Sequence, residues 1–227
     1  LPTAIIIIIV VLIGVAIGAI LGVKSAVKKR PHQPSAQKPD NLTSFSQKFD
    51  ANITTLGWNV SSAELSVQPG PVFEVSINNT AVDQFNCTRN GHKLTITQLD
   101  PLQHPVESGQ SARVVITVPR PVRIEATMLN GTLNITSVTL KSIDLNHLNG
   151  TTNIRDVEIN DGIITKKNGA TKLTNVLVPG LRVVVESGQL LLNGASFAAD
   201  QLPYDDGQET QLDVQSTNGP VTITTQQ

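Results

Sequence analysis

The sequence predicts an all-β protein, a β-solenoid with coils of about 19 residues, preceded by one N-terminal transmembrane α-helix. Three observations carry that prediction: an uncharged apolar run from Leu1 to Val23, a turn glycine that recurs every nineteen residues, and apolar residues that alternate at period two around each turn. Composition agrees. Of 227 residues 39% are hydrophobic, but only 15% are charged and 3% aromatic, with 16 Gly and 13 Pro. That balance suits strands and turns better than surface helices, whose outer faces are charge-rich.

The apolar run has one polar side chain, Thr3. As a helix it would be roughly 34 Å long, enough to cross a hydrocarbon core of about 30 Å. It also exceeds the apolar part of a secretory signal, about 7–15 residues. The β-branched stretch Ile5–Val11 is a poor helix former in water, but lipid leaves the backbone no other way to satisfy its hydrogen bonds. Gly14, Gly18 and Gly22 fall on one stripe of this helix, a small-residue pattern that lets two helices pair closely. Lys24, Lys28, Lys29 and Arg30 follow directly, and the positive-inside rule reads them as cytoplasmic. The sequence starts at Leu1 and not at Met, so this signal alone leaves the orientation open. Residues 24–40, with Pro31, Pro34 and Pro39, form a basic, Pro-rich, semi-extended spacer.

Charge is segregated along the chain. Residues 1–40 hold five bases against Asp40, a net of +4, whereas residues 41–227 hold twelve bases against seventeen acids, a net of −5. The near-neutral total lacks the basic footprint of a nucleic-acid binder. A single cysteine, Cys87, excludes an intramolecular disulfide, a four-cysteine zinc site and a CxxC redox pair. His32, His92, His104 and His147 are scattered, which leaves little for a histidine metal centre; no cofactor is expected.

Asn-x-Ser/Thr occurs at Asn41, Asn52, Asn59, Asn78, Asn86, Asn130, Asn134 and Asn149. Composition alone predicts about three such sequons. Strand-and-turn chains favour Thr and Asn for structural reasons. The excess nonetheless favours a glycosylated domain, with residues 41–227 extracellular or lumenal.

Residues 41–120 read as an irregular β cap, with strands over Ala63–Val67, Val72–Ile77, Lys93–Thr97 and Arg113–Val118 and with Trp58 and Phe73 in its core. A solenoid end exposes backbone groups and apolar side chains, so it needs a cover. From residue 121 to 227 the pattern is regular. Asn130-Gly131, Asn149-Gly150, Asn168-Gly169 and Ser187-Gly188 are nineteen apart, and Asn218-Gly219 follows after nineteen plus twelve. Seven residues before the glycines stand Ile124, Ile143, Gly162, Leu181 and Leu212, and five before stand Ala126, Leu145, Ile164, Val183 and Val214. Four after stand Ile135, Ile154, Leu173, Leu192 and Ile223. Seven after come Val138, Val157, Val176 and Ala195, and nine after come Leu140, Ile159, Val178 and Phe197. Three short alternating segments per repeat, with no helical spacing, predict stacked coils whose matching residues form internal ladders.

The twelve extra residues fall within Ala198–Glu209 and are expected to loop out from the stack. They carry Tyr204, Asp205 and Asp206, a candidate binding loop for a ligand or Ca²⁺.

Gly91-His92-Lys93-Leu94-Thr95-Ile96, then Arg113-Val114-Val115-Ile116-Thr117-Val118-Pro119, and the terminal Ser216-Thr217-Asn218-Gly219-Pro220-Val221-Thr222-Ile223 resemble the putative-adhesin β-strand-repeat family, a domain of unknown function. The resemblance spans roughly residues 55–227. It implies a membrane-tethered surface protein and brings no catalytic residues with it. The sequon density and the insertion near Tyr204 depart from the family pattern.

Enzymatic β-helices need carboxylates that converge on one face. Glu125 and Asp144 share a repeat position, but Ile163 and Arg182 follow them, so the ladder breaks. His147 reads as a surface histidine and Cys87 as a small, unreactive residue. No P-loop, HExxH or GxSxG motif occurs. The expectation is a non-enzyme: a single-pass surface protein whose partners are membrane lipid, a glycan or protein ligand, and itself through the glycine stripe. One alternative is a pilin-like filament subunit of the archaeal kind, whose N-terminal hydrophobic helix packs in a filament core. Lys28, Lys29 and Arg30 beside such a core fit it poorly, because charge is costly to bury. The second alternative, a membrane-tethered cytoplasmic scaffold resembling bactofilins, is favoured by the basic cluster and opposed by the sequons.

Overall fold

The computed structural model describes residues 43–50, 52–80, 84–99 and 111–226. The predicted membrane helix with Gly14, Gly18 and Gly22, the spacer 24–40 and the sequon at Asn41 lie outside the described residues. Among the described residues no helix is long and apolar enough to cross a membrane. The strands form one continuous hydrogen-bonded sheet that is folded into stacked coils.

Regular coils begin earlier than the glycine spacing indicates. After β1 (Thr43–Phe49), strand β2 (Thr55–Pro69) already has the shape of a repeat. It lies parallel to β7 (Val122–Thr136) through both of its halves, from Thr55↔Arg123 to Val67↔Ile135. Ala63 occupies the turn-glycine position, opposite Gly131, which hides this coil from a search for glycines. The intervening strands are β3 (Phe73–Thr80), β4 (Phe85–Asn90), β5 (Lys93–Gln98) and β6 (Ala112–Val118). Strands β5 and β6 run parallel along the outer edge of β2, and antiparallel β4, β3 and β1 cover them in turn. Trp58 and Phe73 are buried there, as expected.

On the other side of β7 stacks β8 (Thr139–Arg155), in register from Arg123↔Ser142 to Thr136↔Arg155. A short third side, β9 (Glu158–Ile159), pairs with Thr139 and Leu140. The next coil is β10 (Gly162–Asn168) plus β11 (Thr171–Val176). Each corner between the second and third sides carries a left-handed residue, Ser137, Asp156 or Asn175, each at φ 55°. Small polar side chains tolerate that conformation, and Asn175 Nδ2 donates to Asp156 Oδ1 across it at 2.6 Å.

Beyond this point chain order and stacking order part company. The chain runs on through β12 (Leu181–Ser187), β13 (Leu190–Leu192), β14 (Ala195–Phe197) and β15 (Tyr204–Asp205) to β16 (Leu212–Asn218) and β17 (Val221–Thr225). Strands β10 and β11 pair with β16 and β17, and these in turn pair with β12 and β13. The last coil in sequence is therefore inserted between the two coils that precede it.

A spine of glycine corners records the order. A Cβ on Gly150 would lie 1.9 Å from Gly131 O, one on Gly169 2.0 Å from Gly150 O, one on Gly219 2.1 Å from Gly169 O, and one on Gly188 2.3 Å from Gly219 O. Beside the spine an amide ladder takes the same path. Asn130 Nδ2 donates to Ser61 O, Asn149 to Asn130 (3.1 Å), Asn168 to Asn149 (2.8 Å) and Asn218 to Asn168 (3.1 Å). The outermost coil has Ser187 at this position, paired in register with Asn218.

The inward rungs match the predicted offsets in most places. Leu145, Ile164, Val214, Val183, Ile135, Ile154, Leu173 and Ile223 are fully buried. Trp58 sits one rung from Ala126, a large residue against a small one. Ala195 and Phe197 correct the ladder assignment. A reverse turn at Asn193-Gly194 sends β14 back antiparallel along β13, so Ala195 is exposed and Phe197 packs at the edge.

Candidate functional site

The insertion within Ala198–Glu209 does not loop out of the stack as expected. With β14 just before it, it folds onto the open edges of the outermost coil, β14 on β13 and β15 antiparallel on β12, and so closes that end. Tyr204 pairs with Val183 and is half-buried, with its ring edge-on to Phe197 at 5.3 Å. Asp206 accepts hydrogen bonds from the Leu181 and Gln208 amides, and Asp205 accepts one from the Gly207 amide. These carboxylates shape a turn. Among the described residues no group of three His, Cys, Asp or Glu side chains could hold a metal ion.

The sequon asparagines divide into two groups. Asn52, Asn59 and Asn86 are exposed, and Asn78 is half-buried. Asn130 and Asn149 instead belong to the amide ladder, each with its Nδ2 already donating, and Asn134 accepts from Asn153 at 2.9 Å. Coil stacking is by itself sufficient reason for Asn at these three positions. Cys87 is half-buried, and burial pushes its thiol up to about 11.

An open groove of about 370 Å³ crosses the outside of three consecutive coils. Strand β7 supplies Asn134 and Thr136, β8 supplies Asn153 and Arg155, and β11 supplies Lys172 and Thr174. Parallel in-register pairing sets them in two rows, Asn134–Asn153–Lys172 and Thr136–Arg155–Thr174. Arg155 is 64% exposed with only Asp156 beside its Nε, at 3.5 Å, and Lys172 has no ion-pair partner among the described residues. Successive residues within each row, on neighbouring strands, repeat about every 4.8 Å. The groove thus presents amide, hydroxyl and cationic donors at the spacing of its strands.

The first side of the coils has a different chemistry. Glu125, Asp144 and Asp161 line a shallower groove there of about 260 Å³. Glu125 pairs with Lys93 at 2.6 Å, and Asp213 pairs with Arg182 at 3.0 Å. Because the last coil is inserted, Asp213 and not Arg182 follows Ile163 in this row.

His147 is not on the surface: it is fully buried inside the stack, and its Nδ1 lies 2.7 Å from Thr152 Oγ1. Lys166, one rung away, is fully buried as well. Burial and then the Lys166 charge lower His147 to about 4, and burial lowers Lys166 to about 8. The period-two pattern contains the signal for both. Positions seven, five and three before the turn glycine share one face of the strand, so His147 and Lys166 follow Leu145 and Ile164 inward.

A family model described as Toastrack DUF4097 matches residues 53–227. No curated protein matches the chain. Among solved structures, a putative cell adhesion protein from Clostridium sporogenes aligns with TM-score 0.62 and 14% identity over 82% of this chain and all (100%) of that one, which shows a shared fold. A putative adhesin from Bacteroides fragilis aligns over 82% of this chain and 97% of its own at 9% identity, but its TM-score of 0.33 is too low to bear on the fold.

Proposed function

The chain belongs to the Toastrack DUF4097 family, and on that premise we propose that it is a non-enzymatic, membrane-anchored surface protein that displays its stacked coils for adhesion or recognition. Leu1–Val23 is the anchor, residues 24–40 are the stalk, and residues 41–227 face outward. The observation that carries the recognition role is the groove of Asn134, Asn153, Arg155 and Lys172. Cations and amides repeated on successive strands suit a polymer with hydroxyls and carboxylates, such as an acidic glycan, because guanidinium and ammonium groups bind carboxylate strongly. The description of the Clostridium protein as a putative cell adhesion protein points the same way.

The test is binding of the detergent-solubilised full chain to immobilised carboxylated and neutral polysaccharides. The expected result is retention on the carboxylated polymers, weakened at least tenfold by Arg155→Glu with Lys172→Glu and suppressed by salt. Equal retention of the double variant, or no retention on any polymer, overturns the groove as the binding site. The basic cluster Lys24, Lys28, Lys29 and Arg30 favours a second reading, a cytoplasmic scaffold. External protease on intact cells separates the two: digestion of residues 41–227 supports display, and protection supports the scaffold.

A further inference from the structure

Inside the stack, apolar rungs give way to polar ones at the glycine corner over a short stretch. Position three before the glycine reads, in stacking order, Met128, His147, Lys166, Ser216 and Val185. Position two after reads Leu133, Thr152, Thr171, Val221 and Leu190. A polar compartment therefore spans the middle coils. Met128 with Leu133 closes it on one side, and Val185 with Leu190 closes it on the other.

Within it, Lys166 Nζ, His147 Nε2 and Thr171 Oγ1 are buried and have no hydrogen-bond partner. The other polar groups are already used: Thr152 Oγ1 meets His147 Nδ1, and Ser216 Oγ reaches Gly219 O at 3.5 Å. None of the four ion pairs among the described residues involves Lys166. A buried ammonium without a counter-charge is strongly unfavourable, as is each buried donor left unmade. All three open atoms can act as donors, Nε2 carrying the proton when Nδ1 accepts from the Thr152 hydroxyl.

We propose that this compartment binds one small inorganic anion of the halide class, held by Lys166, His147 and Thr171. A water molecule would satisfy hydrogen bonds but leave the ammonium charge unbalanced. Rungs about 4.8 Å apart leave room for a single-atom ion more readily than for a polyatomic or organic anion. The inference is independent of the adhesive role.

The test is thermal unfolding of the full chain in chloride, bromide or glutamate at matched ionic strength. A ligand that binds only the folded state raises its stability with the logarithm of concentration. The expected result is a melting temperature several degrees higher in the halides, rising with halide concentration. Lys166→Met should abolish the halide response and Thr171→Val should weaken it, the latter serving if the former does not fold. Bromide-soaked crystals should show an anomalous peak within hydrogen-bond distance of Lys166 Nζ. Identical melting in halide and glutamate, an unchanged halide response in both variants, or no internal bromide peak would each overturn the proposal.

Discussion

The coils over 122–176 and those over 181–226 are built to one pattern yet assembled differently. In the first region each coil stacks on the one just made. In the second, β12 and β13 are passed over, and β16 and β17 take the place beside β10 and β11. The coils look alike because every one offers the same parallel backbone edge and the same glycine corner. What distinguishes the outermost coil is what covers it. The Asn193-Gly194 turn and the β14 and β15 strands pair with its edges and end the sheet, as an exposed edge requires. A repeat thus fixes where side chains point within a coil, while the capping segment decides which coil comes last.

The largest expected effect tests whether the two regions share one spine. Gly150→Ala and Gly219→Ala should each destabilise the chain by about 4 kcal/mol or more, because a Cβ would strike the backbone oxygen of the neighbouring rung at φ above +100°. Gly91→Ala, in an open hairpin turn with nothing within 4 Å, should cost about 1 kcal/mol. Chemical denaturation of the three variants checks this, and a mild Gly219 variant would break the equivalence of the two regions.

Next in size is the pH response of the polar middle of the stack. His147 sits at about 4 against an ordinary 6.5, so below pH 6.5 the unfolded chain takes up a proton that the folded chain refuses. In halide-free buffer, stability should fall as the pH drops from 6.5 to 4, by up to about 3 kcal/mol. Lys166, at about 8 against 10.5, should add stability as the pH rises through that interval. Urea titrations over pH should show both limbs, with His147→Leu flattening only the acid one. The smallest effect concerns the amide ladder. Asn168→Ala removes a rung bonded on both sides and should cost about 1–2 kcal/mol by thermal melting. Ser187→Asn, at the ladder's end, should change stability by less than about 0.5 kcal/mol.

The all-β class, the coil period and most inward rungs were legible because period two and a nineteen-residue spacing both survive in Ile143, Leu145, Ile154 and their equivalents. The first coil was hidden by Ala63 at its corner, and the buried histidine by a chemistry that suggests the surface. The stacking order was not legible, since Gly188 is nineteen residues from Gly169 and would fit beside it as well as Gly219 does. The edge-covering role of Tyr204, Asp205 and Asp206, read in the sequence as a candidate binding loop, was not legible, because it depends on pairing of Tyr204 with Val183 and on the Leu181 amide reaching Asp206. The groove is not legible in the sequence because its residues are ordinary one at a time. Only in-register stacking brings Asn134, Asn153 and Lys172 into one row.

The inserted coil is tested most directly by paired cysteines in a Cys87→Ser background. Lys172 is the register partner of Thr222, and Thr222 in turn is the partner of Leu191. Adjacent parallel strands bring Cα atoms within disulfide range, and strands two rungs apart, about 10 Å, do not. Mild oxidation should therefore link Lys172→Cys to Thr222→Cys and leave Lys172→Cys with Leu191→Cys reduced, as read by peptide mass. A bond between positions 172 and 191, with none between 172 and 222, would show that the coils stack in chain order and would contradict the insertion.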